Sequence, residues 1–322
     1  MKRLPPFVSV IVSFHNESRY LKKCVQSLLD LDYPKDSYEV VLINDGSTDG
    51  SEETINDIVE AEGSRITILK GNDRGPATAR NLGIKAAKGE IVAITDPDCI
   101  PDKHWLAYHI QHYENQNVGA VQGRVITDWH NLCHPVRIAP VLFPYVTCNI
   151  SYRARTLREV GPFDEQFRYK EDQELAFRLL ESGWLIEHEL LALVYHPVKK
   201  LGIRGVLRYG LRHMYDPLLY KKHSKTAASL LRIRKIGPVS ITREFLYVLG
   251  VSSFILATII LLLCYPWIGF LSALMISIVI VVAHAKLKKS SSKKAPFWVM
   301  FLALVREASR LYGSLKFRKF LL

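Results

Sequence analysis

Short apolar runs alternate along the first part of the chain with stretches in which apolar residues recur every three to four positions. Phe7 to Ser13 has the pattern of a buried strand, and Glu17 to Leu31 carries helical periodicity through Leu21, Cys24, Val25, Leu28 and Leu29. Tyr38 to Ile43 repeats the strand pattern and ends at Asn44-Asp45-Gly46-Ser47. The same reading predicts a helix from Ser51 to Glu62, a strand from Arg65 to Leu69, a helix from Pro76 to Ala87 and a strand from Glu90 to Thr95. Such alternation predicts an α/β domain with a mainly parallel sheet. Ligands of such sheets bind beyond the carboxyl ends of the strands. Polar residues gather at those ends: Ser13 to Glu17, Asn44-Asp45, and Asp96 with Asp98.

Between Thr127 and Cys148 the periodicity dissolves into a loop rich in His and Pro, and order returns at Asn149 to Arg153. Glu171 to about Ser182 reads as a helix that Gly183 is placed to cap. After His196 the character changes. Residues 201–220 are amphipathic, with Ile203, Val206, Leu207, Leu211, Met214 and Leu218 apolar and Arg204, Arg208 and Arg212 recurring every four residues on another face. That pattern suits a helix in a membrane interface, although the solvated face of a soluble helix has the same spacing.

Phe245 to Tyr265 is an uncharged run of 21 residues, Pro266-Trp267 breaks it, and Ile268 to Ala285 is a second uncharged run. The pair predicts a transmembrane helical hairpin over 245–285. Basic residues crowd both inner ends: Arg232, Arg234, Lys235 and Arg243 before it, and Lys286, Lys288, Lys289, Lys293 and Lys294 after it. By the positive-inside rule these ends are cytoplasmic. Residues 296–315 read as a third, interfacial helix, with a third span as the alternative. The expected organisation is thus a folded domain over 1–200, a basic interface segment over 201–244, the hairpin over 245–285, and a basic linker with the interfacial helix over 286–322.

Charge supports this division. Residues 1–195 carry a net −7 and residues 196–322 a net +19. Because the basic residues flank apolar stretches, they fit anionic lipid better than nucleic acid. The five cysteines form no C-x-x-C pair and no metal-ligand spacing, which fits free thiols in a reducing compartment. No signal peptide precedes the first apolar run, so the first domain is expected on the cytoplasmic side of a multi-pass membrane protein.

Several short segments could carry chemistry. Asp96-Pro97-Asp98 offers two carboxylates to a hard divalent cation, but the tripeptide is also an ordinary turn. Lys170-Glu171-Asp172 could hold a catalytic acid or base, or merely acids placed for a helix dipole. His196 could be a ligand or a structural residue. Gly75 to Asn81 could cradle a phosphate at a helix start or simply form a loop.

Taken in order, the segments V-S-V-I-V-S-F-H-N-E, I-N-D-G-S-T-D-G, A-R-N-L-G-I-K-A-A-K-G-E, T-D-P-D-C-I-P-D, G-P-F-D-E-Q-F and K-E-D-Q-E-L-A-F-R-L resemble family 2 of the inverting glycosyltransferases. The resemblance runs from about Phe7 to His196. It implies a GT-A fold, a nucleotide-sugar donor and Mn²⁺ or Mg²⁺. Carried over by position, it assigns Ser13, His15, Glu17, Asp45, Arg80 and Asp96 to the nucleotide-sugar pocket. Asp98, with Asp96 and His196, would hold the metal. Asp172 would be the base of the Glu171-Asp172 pair, and Asn149 would lie on the acceptor side. The Q-x-x-R-W motif of processive synthases is missing, and Arg208-Tyr209-Gly210-Leu211-Arg212 stands roughly where it would be. Single transfer to a hydroxyl of a lipid-linked or other membrane-borne glycan is therefore expected. The alternatives are transfer to polyprenyl phosphate and nucleotide-sugar binding without turnover.

Overall fold

The computed structural model describes residues 5–127, 145–197, 203–230, 234–236, 239–241, 253 and 295–318. The chain divides into two compact units, residues 1–128 with 136–198 and residues 129–135 with 199–322. The predicted hairpin over 245–285 lies outside the described residues, save for Ser253. Among the described residues no helix is long and apolar enough to cross a membrane.

The first unit is built on one sheet with strand order β3-β2-β1-β4-β7-β6-β8-β5. Its strands are β1 (Val8–Phe14), β2 (Tyr38–Asn44), β3 (Ile66–Lys70), β4 (Ile91–Ile94), β5 (Ile100–Pro101), β6 (Val118–Ile126), β7 (Ile150–Arg153) and β8 (Leu185–Tyr195). From β3 to β4 every pairing is parallel, as is β6 with β8. β7 runs antiparallel to both β4 and β6, and β5 antiparallel to β8. The sheet is mainly parallel, as the alternation of elements predicts.

Period-two burial explains why β1 lies in the middle. Val8, Val10, Val12 and Phe14 face one layer, where α1 (Leu21–Leu29) contributes Leu21, Cys24, Val25 and Leu28. Ile11 faces the other layer with Val41 and Ile43 of β2, and there α3 (Pro76–Ala86) and α6 (Glu171–Glu181) cover the sheet. The contact with α3 is close because of Gly83: a Cβ there would lie 2.8 Å from Ile11 Cγ2. Strands covered on both faces favour apolar residues throughout, which is why these runs are nearly continuous rather than alternating. Buried Ser9 and Glu39 are the exceptions and satisfy each other, Ser9 Oγ donating to Glu39 Oε1 at 2.7 Å.

Several boundaries differ from the expectation. The helix expected from Ser51 begins as a 3₁₀ turn at Glu53–Ile55 and becomes regular only over α2 (Asn56–Glu62). Strands β6 and β8 and helices α4 (Trp105–Gln111) and α5 (Ala154–Val160) are additions to the predicted elements. Gly183 caps α6 with φ +84°: its N–H reaches Leu180 O at 3.1 Å and the Trp184 N–H reaches Leu179 O at 3.1 Å. This is the paired hydrogen bonding of a Schellman motif, which needs a residue tolerant of positive φ.

In the second unit the amphipathic stretch is not one helix. It comprises α7 (Ile203–Leu211), a 3₁₀ turn over Arg212–Tyr215 and α8 (Asp216–Lys222), followed by α9 (Ser224–Leu230). Pro217 sits in the first turn of α8, where its missing N–H costs no intrahelical bond. A short hairpin pairs β9 (Arg234–Ile236) with β10 (Val239–Ile241), and a long helix spans Ala295–Phe317.

Candidate active site

The loops leaving β1 and β2 are fastened to each other, forming one wall of the site. The Asn16 N–H donates to Ser47 Oγ at 3.1 Å, the Thr48 N–H to Asn16 Oδ1 at 2.8 Å, and the Glu17 N–H to Ser51 Oγ at 2.8 Å. Asn16 accepts a positive φ of 57°, which asparagine tolerates better than most residues. His15 Nδ1 lies 2.8 Å from Asp45 O, a carbonyl that can only accept, so Nδ1 carries the proton. His15 Nε2 then accepts from Asn16 Nδ2 at 3.0 Å. Asp45 is buried, and its carboxylate takes the Gly75 N–H at 2.9 Å and the Arg74 N–H at 3.3 Å. It therefore fixes the entry to α3 beside the same wall. Ser13 is half-buried near the end of β1, opposite Ile43.

Facing this wall, the strand order dictates where the acidic loop goes. β4 lies mid-sheet but β5 pairs at the far edge with β8, so residues 95–99 cross the end of the sheet at which β4, β6 and β8 finish and β7 begins. The crossing starts with a tight turn in which the Cys99 N–H reaches Asp96 O at 3.0 Å, with Pro97 at the position that favours its fixed φ. Pairing of Ile100 with Tyr195 then places Asp98 beside His196. His196 Nε2 stands 3.6 Å from Asp98 Oδ1, and both side chains are largely buried.

His196 Nδ1 lies 3.1 Å from Pro197 O, again a carbonyl that only accepts. Nδ1 is thus the donor, and the Nε2 lone pair is free to serve as a ligand, the arrangement seen when a second partner orients a ligating histidine. Ligand atoms of Asp98, Cys99 and His196 lie within 4.8 Å of one another. Burial pushes the Cys99 thiol well up, so it stays protonated and is a poor partner for a hard cation. Asp98 and His196 are the pair that fits a divalent metal. Asp96 is not in this cluster, and its Oδ1 accepts from Arg80.

Arg80 ties the acidic loop to α6. It is buried on α3, donating from Nη1 to Glu171 Oε1 at 2.8 Å and from Nη2 to Asp96 Oδ1 at 3.1 Å, with its guanidinium 5.8 Å from the centre of the Phe163 ring. Burial alone would lower its pKa, but Asp96 and Glu171 outweigh burial and raise it. Arg80 is the cation shared by two acidic motifs. Next to Glu171, Asp172 is pushed up from 3.8 to about 7, chiefly by burial and then by Glu171, against the opposing pull of Lys170, the Gln173 N–H and Arg80. Lys170 precedes the pair in a left-handed conformation, φ +72°, an uncommon state for a side chain of its size. The Cys148 thiol is raised on balance: its hydrogen bond with the Cys99 thiol lowers it, but burial and the charges of Asp96, Asp98 and Asp172 outweigh that, so all three carboxylates act on one buried group.

Asn149 has a different place from the one expected. It is fully buried, and its Oδ1 accepts from Trp105 Nε1 at 2.8 Å and His109 Nε2 at 3.0 Å. Its Nδ2 donates to Arg124 O at 3.0 Å and Ala192 O at 2.9 Å. With both donors and both acceptor positions used, the side chain has nothing left to offer an acceptor. It is a hub joining β6, β8 and α4. The same network fixes His109: Nε2 donates, so Nδ1 accepts from Ser151 Oγ at 2.8 Å, and burial lowers its pKa to about 4.

Residues 9–144 match the family model described as Glycosyl transferase family 2. A glycosyltransferase of Haloferax volcanii, AglE, is 26% identical over 212 residues, which are 61% of this chain and 69% of that protein. The pre-mycofactocin glycosyltransferase of Mycobacterium tuberculosis is 30% identical over 208 residues, 59% of this chain and 42% of that protein. The fold is that of a solved structure, the mannosyltransferase PcManGT from Pyrobaculum calidifontis in complex with GDP-Man and Mn²⁺. The TM-score is 0.60 at 20% identity, covering 96% of this chain and 88% of that one. The match over residues 9–144, the GT-A-like fold and the glycosyltransferases among its relatives together support a glycosyltransferase.

Proposed function

We propose that the chain is an inverting, metal-dependent transferase that moves a sugar from a nucleotide-sugar donor to a hydroxyl of a lipid-linked or other membrane-borne glycan. The observation that carries this reading is Asp172. A carboxyl that titrates near 7 is half ionised at neutral pH and basic enough to take a proton from a sugar hydroxyl as it attacks. An acceptor that is already anionic, such as polyprenyl phosphate, needs no such group.

Ser13, His15, Glu17 and Asp45 form the wall against which the nucleotide would rest. Asp98 and His196 would hold Mn²⁺ or Mg²⁺, and phosphate oxygens would complete the shell. When bound, the ion supplies neutralisation of the charge that develops on the departing nucleoside diphosphate. Arg80 keeps Asp96 and Glu171 in place, and Asp172 accepts the proton at its carboxylate. Membrane association is part of the proposal, supported by the basic and apolar character of residues 196–322.

Transfer from UDP-, GDP- and dTDP-sugars to a lipid-linked saccharide and to bare polyprenyl phosphate tests the reading. The saccharide is expected to be the better acceptor. Faster glycosylation of the bare phosphate would replace this proposal with the synthesis of an activated lipid-linked sugar.

A further inference from the structure

The second unit contains a helix built inside out. In Ala295–Phe317, Glu307, Ser309, Arg310 and Ser314 are buried, whereas Leu304 is 48% exposed, Leu311 43% and Leu315 70%. Positions 304, 308, 311 and 315 share one helix face, within about 60° of arc at the helical period, and Ala308 is exposed with the leucines. A helix that meets water buries leucine and exposes arginine, so this reversal has to be explained.

Two features stabilise the inward polar face. Arg310 Nε donates to Asp216 Oδ2 at 2.9 Å, Arg310 Nη1 pairs with Glu307, and His213 Nδ1 lies 2.8 Å from the same Asp216 oxygen. The buried charges are thereby matched across two elements. The packing also depends on glycine. A Cβ on Gly210 would lie 2.3 Å from Val305 Cγ1, and one on Gly313 would lie 1.9 Å from Met214 O. Backbone contact through small residues, with polar groups turned inward, is how helices associate when their outer faces meet lipid.

The neighbouring α7 adds Leu207 at 39% and Leu211 at 47% exposure, together with exposed Arg204, Arg208 and Arg212. Lys316 and Arg318 are exposed at the end of the long helix. A second copy of this chain would bring the same positive charge against them, whereas anionic headgroups complement it. The helix is not apolar enough to cross a bilayer, which leaves the plane of the surface. We propose that this unit docks on an anionic phospholipid surface, with Leu304, Ala308, Leu311 and Leu315 in the acyl boundary and the exposed arginines on headgroup phosphates. This deepens the membrane association of the proposed function, on which it rests, by naming the face and the lipid it meets, and it holds whichever hydroxyl accepts the sugar.

To test it, a benzophenone amino acid would replace Leu311 or Leu315 in the full chain, and Asp57 of α2 as a control, in vesicles of phosphatidylcholine and phosphatidylglycerol. Leu311 and Leu315 are exposed, so the replacements do not disturb the core. Irradiation should yield phospholipid adducts from positions 311 and 315 and none from 57. Absence of lipid adducts at both positions, or cross-links to another polypeptide in their place, would overturn the proposal. Labelling requires no turnover. Failed labelling therefore removes the surface docking and leaves the transfer chemistry at Asp172 standing, and an inactive protein that still labels lipid would count only against the transfer chemistry.

Discussion

Glu171→Gln isolates the electrostatic tuning of Asp172. For carboxylates of adjacent residues, taken as roughly 6 Å apart, an effective dielectric of about 20 gives a repulsion of about 3 kcal/mol, or about two pKa units. Arg80 is bonded to Glu171 and offsets part of that repulsion in the wild type. When Glu171 becomes neutral, the repulsion disappears and the Arg80 charge is less compensated, and both changes favour an ionised Asp172. The acid limb of kcat should therefore move from about 7 to lower pH by about one to two units. At pH 6 the wild-type base is ionised in about a tenth of molecules and the variant base in half or more, by the same titration relation. Each rate should be normalised to its own plateau, with donor and metal saturating. A limb that stays in place, or moves to higher pH, would show that Glu171 does not set the basicity of Asp172.

Other outcomes follow from the same geometry. Asp98→Ala should remove the extra thermal stabilisation that Mn²⁺ gives to the nucleotide-bound protein, and persistence of that increment would place the ion elsewhere. Asn149→Ala strands the donors of Trp105 and His109 and two carbonyls, so it should lower stability by about 2–4 kcal/mol in denaturant melts, while KM for the acceptor stays unchanged. Because the folded-state pKa of Asp172 is raised, the folded protein holds a proton that the unfolded chain has released between about pH 4 and 7. Wild-type Tm should thus fall relative to Asp172→Asn as pH rises through that window; parallel Tm curves would contradict the raised pKa.

The central strands were legible because two-sided burial leaves a plain signature: five of the seven residues in each of β1 and β2 are apolar. β8 lacked that signature, since Leu185, Leu190 and Leu191 are exposed and Glu187, His188 and Glu189 interrupt the run. β6 was obscured by Gly119 and Gly123, poor strand formers retained for close approach; a Cβ on Gly123 would lie 2.2 Å from Asn149 Oδ1. Within the site, the turn at Asp96 and the acidic start of α6 could be read from the residues alone. Their connection through Arg80 could not, because Arg80 and Glu171 are separated by 91 positions and meet only after the sheet has formed. Asn149 shows the opposite limit. A polar residue at a strand start reads as functional until burial and four hydrogen bonds show it to be structural.

The central claim is that Asp172 takes the acceptor's proton while the donor is held elsewhere, at Asp98 and His196. The most direct measurement compares Asp172→Asn with wild type for donor affinity, by calorimetry with Mn²⁺ present, and for kcat on a hydroxyl acceptor at pH 8. Asparagine keeps the shape and cannot accept the proton. The account predicts donor affinity within about twofold of wild type and kcat lower by on the order of a hundredfold or more. A variant that turns over as fast as wild type, or one that loses donor binding and turnover together, would contradict it.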